Sequence, residues 1–355
     1  MNFKHLFVAA GVAATSFALP QMASADDFSA TIAAGHPPVF RWVKMMPEAF
    51  IPTAQAEFAK LGHKITFSEQ YGGAVAGVGE EFEAAEAGLA ELALCSSLFD
   101  AAKLPLQNVS YYTPFVSDDP RMVNDLLGKM HREDPRMTQS FTDNNTVYIG
   151  GAIGIDDYLL MTKFPVKSLA DLKGRKIAAP GPAINWLSGT GAVGVAGNLT
   201  TYYNELKTGV YDGVIVFASA ALPGKLYEVA PHVTRASLGA QFAGAICANK
   251  DWYDGLSADL QKALHDSADA AQNWYMDALE AAAANSFKVM AAKGATITVA
   301  SDEMRKAWAA GMDNAAQTWA KSLDKEGKPG SAILSAYMEG MRAAGAKPVR
   351  DWDKE

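Results

Sequence analysis

The sequence predicts an α/β protein made of two β/α lobes with a ligand cleft between them. Three observations lead to this fold class. Short apolar segments with strand-like patterning alternate with helical segments between residues 28 and 249, as in parallel β/α/β units. This alternation occurs in two blocks, the second of which begins near residue 146. A strongly helical, alanine-rich stretch over 258–293 follows and is longer than most globular helices. We expect chain crossings between the lobes and a long helix that spans the hinge.

The first block contains three predicted strands and two predicted helices. Ligands in open parallel sheets bind beyond the carboxyl ends of the strands. We therefore expect the site at three loops, which follow Ala34, surround Tyr71 and its two glycines, and include Ser97. The predicted elements, in order, are a strand over 28–34, a helix over 42–61, a strand over 63–67, a helix around 79–88 and a strand over 90–95.

The second block is read in the same way and leads into C-terminal helices. Strands are predicted over 146–149, 158–162, 175–179, 213–217 and 242–248, and helices over 185–195, 202–209, 302–323 and 331–344. From this order we expect residues 26–148 and 214–249 to form lobe I. Residues 149–213 and 250–300 should form lobe II with the spanning helix, and residues 301–355 the C-terminal helices.

The first 25 residues have the features of a secretory signal peptide. Lys4 precedes a short apolar run, and Ala23-Ser24-Ala25 forms an A-x-A cleavage site. The run is too short and too rich in alanine and glycine to span a membrane, which takes roughly 20 apolar residues. We expect cleavage after Ala25, a mature chain that starts at Asp26, and a periplasmic location.

Composition narrows the classes of partner and of site. The formal net charge is −8, so a surface that binds nucleic acid is not expected. The two cysteines, Cys95 and Cys247, each end an apolar segment and match no zinc or redox spacing. They could pair in an oxidising compartment, but we expect two buried thiols. We expect no metal, no cofactor and no enzyme activity, because no catalytic motif is present, and Glu80-Glu81 has the pattern of a solvated helix face.

One stretch, 166–227, carries a family resemblance. It contains VKSLADLKGRKIAAPG, then TTYYNELKTGVYDG, then KLYEV, and ANKDWYDGLSADLQKALHDSA follows later. This order and spacing resemble the solute-binding subunits of tripartite ATP-independent periplasmic (TRAP) transporters, the C4-dicarboxylate-binding, DctP-type family. The resemblance extends over nearly all of the mature chain. It implies a receptor that closes around a small solute and docks on a small and a large membrane permease subunit.

The sequence departs from the family where the ligand is usually held. Members of the family usually carry an arginine that clamps the ligand carboxylate, and the matching position here is Ala178. Arg175 lies three residues earlier and should face the other side of the strand. Val216 replaces an asparagine, Phe217 a proline, and Leu199 a phenylalanine of the family pattern. A C4-dicarboxylate or sugar acid is therefore not the expected ligand, because an unpaired buried carboxylate costs several kcal/mol.

The segments that the resemblance and the loops bring to the cleft are mostly aromatic and aliphatic. We favour a small aromatic acid such as a hydroxybenzoate. The group that binds its carboxylate would have to be Arg41, Lys163 or the backbone N–H groups around Gly72. The rival is a neutral or cationic solute in an aromatic cage with Asp156 or Asp157. An aliphatic carboxylate ranks lower, and a periplasmic enzyme is a remote alternative. The expected ligand-binding residues are His36, Phe40, Tyr71, Ser97, Tyr158, Ala178, Trp186, Leu199, Val216, Phe217 and Phe242.

Overall fold

The computed structural model describes residues 26–355. The signal peptide expected over 1–25 lies outside the described residues. The strands are β1 Asp27–Ala34, β2 Lys64–Tyr71, β3 Leu92–Cys95, β4 Thr146–Gly150, β5 Gly154–Ile155, β6 Tyr158–Thr162, β7 Lys176–Ala179, β8 Val193–Ala196, β9 Gly213–Phe217, β10 His232–Arg235, β11 Gln241–Phe242, β12 Ala245–Asn249 and β13 Thr296–Val299.

The helices cover the faces of the sheets and the C-terminal part of the chain. They are α1 Arg41–Met45, α2 Ile51–Lys60, α3 Glu81–Glu86, α4 Pro120–Glu133, α5 Gln139–Asp143, α6 Tyr202–Thr208, α7 Ala218–Ala221, α8 Lys250–Asp254, α9 Ala258–Ala292, α10 Asp302–Gly311, α11 Ala315–Lys325 and α12 Gly330–Ala343. One π-helical turn, Met46–Phe50, joins α1 to α2, and 3₁₀ segments occupy Leu106–Tyr112, Pro135–Met137, Leu169–Leu172, Gly181–Leu187 and Leu226–Glu228.

Two sheets form the centres of the two lobes. The first has five strands in the order β2-β1-β3-β12-β4, and the second has six in the order β13-β10-β6-β9-β7-β8. β1 pairs in parallel with both β2 and β3, as the β/α/β pattern predicts. β12 runs antiparallel to β3 and β4, because it returns to the first sheet from the second lobe. The sheets are therefore mixed rather than wholly parallel.

The structure corrects one boundary of the expected lobes. β9 and β10 fall within residues 214–249, apart from Gly213 at the start of β9, and this span was assigned to lobe I. Both strands pair inside the six-stranded sheet, and only β12 joins the five-stranded one. The sequence pattern shows where a strand is but not which sheet it joins, since pairing depends on contacts with distant segments. The division of the remaining chain stays a proposal.

The helix expected over 185–195 is also wrong. A 3₁₀ turn ends at Leu187, and the chain then forms β8, which pairs in parallel with β7. Gly189 and Gly191 lie between these elements with φ of 74° and 76°. This left-handed backbone stops a helix and is readily adopted only by glycine.

The long helix predicted after residue 258 is present as α9, with 35 residues. Ser257 caps its first turn by accepting a hydrogen bond from the Leu260 N–H. At 1.5 Å per residue the helix is about 50 Å long. It packs against α1 and α2 beside the first sheet, and against α7 and β13 beside the second. It therefore connects the two lobes mechanically. None of the helices within 26–355 combines the length and the apolar character that crossing a membrane requires.

The expectation of two separate thiols is wrong, because Cys95 and Cys247 form a disulfide. Their strands, β3 and β12, are antiparallel neighbours with Cys95 opposite Ala245, two residues before Cys247. This diagonal placement brings the two Cα atoms to 5.8 Å, a usual separation for a disulfide. The sequence could not show it, since 152 residues separate the two cysteines.

Candidate solute-binding site

A cavity lies between the two sheets, at the carboxyl ends of β1, β3 and β9. β6 runs antiparallel to β9 and places Tyr158 opposite Phe217, so the start of β6 reaches the same edge. The space not filled by atoms is about 600 Å³, a figure that includes the open mouth. The lining residues are Ala34, His36, Trp42, Val43, Glu81, Leu94, Ser96, Leu98, Phe99, Tyr111, Ile153, Ile155, Tyr158, Pro180, Leu199, Tyr202, Ile215, Val216, Phe217 and Ala243.

Three aromatic rings from both lobes form one wall. The ring centres of Trp42 and Phe217 are 5.8 Å apart, and those of Tyr158 and Phe217 are 5.2 Å apart. Phe40 stacks on Trp42 with ring centres at 4.7 Å and an angle of 12°. Such contacts hold the rings in place and leave apolar faces for a solute.

Tyr111 and Trp186 pack against Tyr158 in this wall, and Tyr111 also lines the cavity. The hydroxyls of Tyr111 and Tyr158 are hydrogen-bonded at 2.9 Å. The Trp186 indole N–H donates to the Tyr111 carbonyl at 2.7 Å, and its ring stacks on Tyr111 with centres at 5.9 Å. Burial raises the pKa of both tyrosines far above neutral pH, so their hydroxyls are uncharged.

The charged group of the cavity is Glu81, at the start of α3. Only 2% of the residue is exposed. Its carboxylate accepts hydrogen bonds from the Gly35 N–H at 3.0 Å and the Gly79 N–H at 2.6 Å. Burial outweighs these bonds and raises the pKa of Glu81 to about 7. Glycine is needed at position 35, because a Cβ there would lie 2.6 Å from Glu81 Oε1 and 2.5 Å from the Val78 nitrogen.

His36 contributes a neutral imidazole. Its ring meets those of Trp42 and Phe40 edge to face, with centres at 5.4 and 5.7 Å. Burial lowers the pKa of His36 to about 4, so the ring is uncharged at neutral pH. Its buried Nε2 has no hydrogen-bond partner among the described residues. No lysine or arginine is among the described residues that line the cavity.

The structure brings five of the eleven expected residues to the cavity. His36, Tyr158, Leu199, Val216 and Phe217 line it. They come from loops and strand ends on both lobes.

The six others do not line it. Phe40 and Trp186 lie one layer behind, against Trp42 and Tyr111. Ala178 is fully buried in the core of the second lobe. Its side chain is a single methyl group and does not line the cavity.

The remaining three expected residues, Ser97, Tyr71 and Phe242, lie elsewhere in the structure. Ser97 is buried, and the neighbouring Ser96 lines the cavity instead. Tyr71 ends β2, half-buried, at the edge of the sheet. Phe242 lies in β11, which pairs with β5, and stacks on His131 with ring centres at 5.2 Å.

The charged groups considered for a ligand are also placed differently. Asp156 accepts from the Ser219 N–H and hydroxyl, and Asp157 from the Gly239 N–H. Both aspartates line a separate groove. Arg41 is absent from the cavity lining, and Lys163 is exposed. Arg175 stacks on the Phe164 ring at 4.4 Å, turned away from the site as expected.

The main error concerns Glu81, which the sequence pattern placed on a solvated helix face. Glu80 is indeed exposed, but Glu81 is buried. One signal could have separated them. Residues three and four apart share a helix face, and Glu81 shares its face with Ala84 and Ala85, both buried. Trp42, Phe99 and Tyr111 also line the cavity, and no local motif marks them.

Comparison with known proteins identifies the family. The profile described as "Bacterial extracellular solute-binding protein, family 7" matches residues 55–323, which is well over half of the chain. The chain belongs to this family. The expected resemblance to DctP-type receptors and the expected periplasmic location are thereby confirmed.

Two curated relatives of this family 7 protein match over part of their length. The ectoine-binding periplasmic protein TeaA of Halomonas elongata is 32% identical over 143 residues, 40% of this chain and 41% of TeaA. The ectoine/5-hydroxyectoine-binding periplasmic protein UehA of Ruegeria pomeroyi is 35% identical over 134 residues, 37% of this chain and 38% of UehA. The matched segment thus spans about two fifths of each relative.

The fold is similar over a larger region. DctP7 of Bordetella pertussis, an extracytoplasmic solute receptor that binds pyroglutamic acid, superposes with a TM-score of 0.76. The superposition covers 87% of this chain and 99% of DctP7, at 18% identity. The family 7 protein therefore has the two-lobed α/β fold that its sequence predicts.

Proposed function

We propose that the protein is the extracytoplasmic solute receptor of a TRAP transporter, which delivers a small organic solute to the small and large membrane subunits. One observation carries this proposal: a cavity closed between two sheets and lined from both. His36 and Trp42 come from the first lobe, and Tyr158 and Phe217 from the second. Membership of family 7 supports the same role.

The mechanism is closure of the lobes around the solute. A solute that touches Trp42 and Phe217 at once contacts both lobes only in the closed form. It therefore shifts the population towards the closed form by its differential affinity. The closed receptor then presents a joined surface to the permease, whose transport is driven by an ion gradient and needs no ATP from the receptor.

The cavity bears on the class of solute. Its aromatic wall suits a flat solute, because burial contributes about 25 cal/mol per Å² and ring stacking roughly 0.5–1.5 kcal/mol more. The sequence favoured an aromatic acid of the hydroxybenzoate kind. The cavity instead contains the carboxyl group of Glu81, a neutral His36 and no lysine or arginine from the described residues, which supports the rival class, a neutral or cationic solute. The ectoine-binding names of two relatives are compatible with this choice.

A binding assay on the mature protein tests the proposal. Thermal stability and isothermal calorimetry are measured with ectoine, an amidine, a neutral cyclic amide, 4-hydroxybenzoate, pyroglutamate, glucuronate and succinate. We expect a neutral or cationic solute to bind with micromolar affinity or better and to raise the melting temperature.

Four outcomes would count against parts of the proposal. Binding of succinate alone would overturn the solute class, and 4-hydroxybenzoate alone would restore the aromatic acid. No binding in any class would overturn the receptor function. Turnover of a bound solute by the purified protein would establish the enzyme alternative.

The transporter role has its own test. Proteoliposomes that contain the cognate membrane subunits should take up the bound solute only when the receptor and an ion gradient are both present. Uptake without the receptor would contradict the delivery step.

A further inference from the structure

We propose that Glu81 is the counter-ion for a planar organic cation that carries N–H donors, such as an amidinium or guanidinium group. The assignment rests on the proposed receptor function and names the chemistry of its solute. It stands on the position of one carboxylate in an aromatic cavity that lacks a basic partner within residues 26–355.

The first step concerns the unmet capacity of the carboxylate. One oxygen of Glu81 accepts from the Gly35 N–H and the other from the Gly79 N–H, and the backbone N–H of Glu81 itself also stabilises the carboxylate. A carboxylate has about four acceptor positions in total, so at least one can still accept from a ligand. Burying a carboxylate without an ion-pair partner is costly, and Glu81 has no such partner within residues 26–355. Its backbone hydrogen bonds offset this cost only in part, since the pKa of Glu81 stays raised. A ligand cation or a proton would remove the cost that remains.

The second step concerns the shape and polarity of the surroundings. Trp42, Phe217 and Tyr158 present ring faces and edges to the cavity, and aromatic faces attract cations. The unpaired Nε2 of His36 lies in the same cavity. A planar cation with two N–H groups can donate to both oxygens of a carboxylate at once. An anionic solute would instead meet Glu81 with like charge.

The third step concerns the state of the empty cavity. The titratable groups that line it are His36, Glu81, Tyr111, Tyr158 and Tyr202. The pKa of His36 is lowered to about 4 and the pKa values of the three tyrosines are raised above their usual range. Neighbouring Glu80 raises the pKa of Glu81 further, although burial is the largest cause. Glu81 is therefore the group in the cavity that changes charge near pH 7.

Binding of the solute should therefore displace the proton that Glu81 carries in the empty cavity. The empty closed cavity holds Glu81 mainly in its protonated form below about pH 7. A cation replaces that proton, so capture of the solute releases it to the solvent. The ionised Glu81 carboxylate therefore stabilises the closed form only when a solute cation is bound beside it.

The experiment uses three probes of equal shape and different charge: benzamidinium, benzamide and benzoate. Benzamidinium stays protonated and benzoate ionised between pH 6 and 8. Calorimetry with the mature protein should give the order benzamidinium, then benzamide, then benzoate. The Glu81→Gln substitution should weaken benzamidinium binding at least ~30-fold, as loss of a buried charge partner does. It should weaken benzamide binding far less than benzamidinium binding, since an uncharged probe makes no charge pair.

The matched control is Glu80→Gln, which removes the neighbouring, exposed carboxylate and should leave all three affinities within about twofold. Calorimetry of the unmodified protein provides a measurement that needs no variant. At pH 7 benzamidinium should release about half a proton, seen in buffers of different ionisation enthalpy, because Glu81 is then about half protonated.

Several results would overturn the assignment. They are benzoate binding as tightly as benzamidinium, no benzamidinium binding at millimolar concentration, no proton release, or an unchanged affinity in Glu81→Gln. If another solute of the receptor panel binds equally well to the natural protein and to Glu81→Gln, the receptor function stands and the proposed role of Glu81 is wrong. If no solute binds at all, both fail.

Discussion

Replacing Glu81 with glutamine should change how the stability of the protein depends on pH. Burial raises the pKa of this carboxyl from 4.5 to about 7 in the folded state. The folded protein therefore binds the proton more tightly than the unfolded chain does. This contribution to stability is fully present below about pH 4.5 and is lost as the pH rises to about 7.

The size of the effect follows from the pKa difference. One pKa unit corresponds to about 1.4 kcal/mol. Between pH 5 and pH 8 Glu81 should therefore lower the free energy of unfolding of the natural protein by about 2–3 kcal/mol. Glutamine is uncharged at every pH, so the substitution removes this dependence of the free energy of unfolding on pH. Its amide NH₂ will also oppose either the Gly35 or the Gly79 N–H, which costs about 1–3 kcal/mol at every pH.

Urea denaturation at pH 5, 6, 7 and 8 measures the slope, with Glu80→Gln as the control. Asp156 and Asp157, whose pKa values burial raises to about 6 and about 7, act in the same direction in all three proteins. Their contribution cancels when the proteins are compared at each pH. We expect the Glu81→Gln curve to lie below the natural one at pH 5 and to approach or cross it by pH 8. Parallel curves would show that Glu81 is not a buried, unpaired carboxyl in solution.

Three further changes test the cavity and the fold. Phe217→Ala removes a ring that contacts both Trp42 and Tyr158. It should weaken solute binding about tenfold, while the circular dichroism spectrum stays unchanged. An unaltered affinity would show that Phe217 does not contact the solute. Cys95→Ser combined with Cys247→Ser should lower the free energy of unfolding by about 2–5 kcal/mol, and thiol titration of the denatured natural protein should find no free cysteine; two titratable thiols would contradict the disulfide. Gly35→Ala places a methyl group against the Glu81 carboxylate, and should cost about 1–3 kcal/mol of stability and reduce solute affinity, whereas wild-type behaviour in both assays would refute the close approach.

Much of the fold could be predicted because its signals are local. Apolar spacing located both blocks of strands and helices, and α9 begins at the expected residue 258 and ends at 292. The exception, the helix expected over 185–195, failed where two glycines with left-handed backbone interrupt the chain. The order of strands in each sheet was not predictable, since β9 and β12 are close in sequence but belong to different sheets.

About half of the expected site residues line the cavity, and the reason for the split is geometric. Tyr158 begins β6 and Phe217 ends β9. These strands are antiparallel neighbours, so any fold that pairs them brings both residues to one edge of the sheet. Ala178 and Phe242 also belong to strands near the crossing, but they face the cores on other sides. A one-residue change of register reverses the face of a side chain, and sequence alone does not set that register.

The amino-acid sequence by itself determined the α/β alternation, the long helix and the family, because each depends on residues close together along the chain. Only the tertiary structure decided that Cys95 pairs with Cys247, and that Glu81 is buried while Glu80 is exposed. Burial and pairing are properties of contacts between distant segments. The charge of the candidate solute depends on such contacts, since the pKa of Glu81 is set by what packs around it.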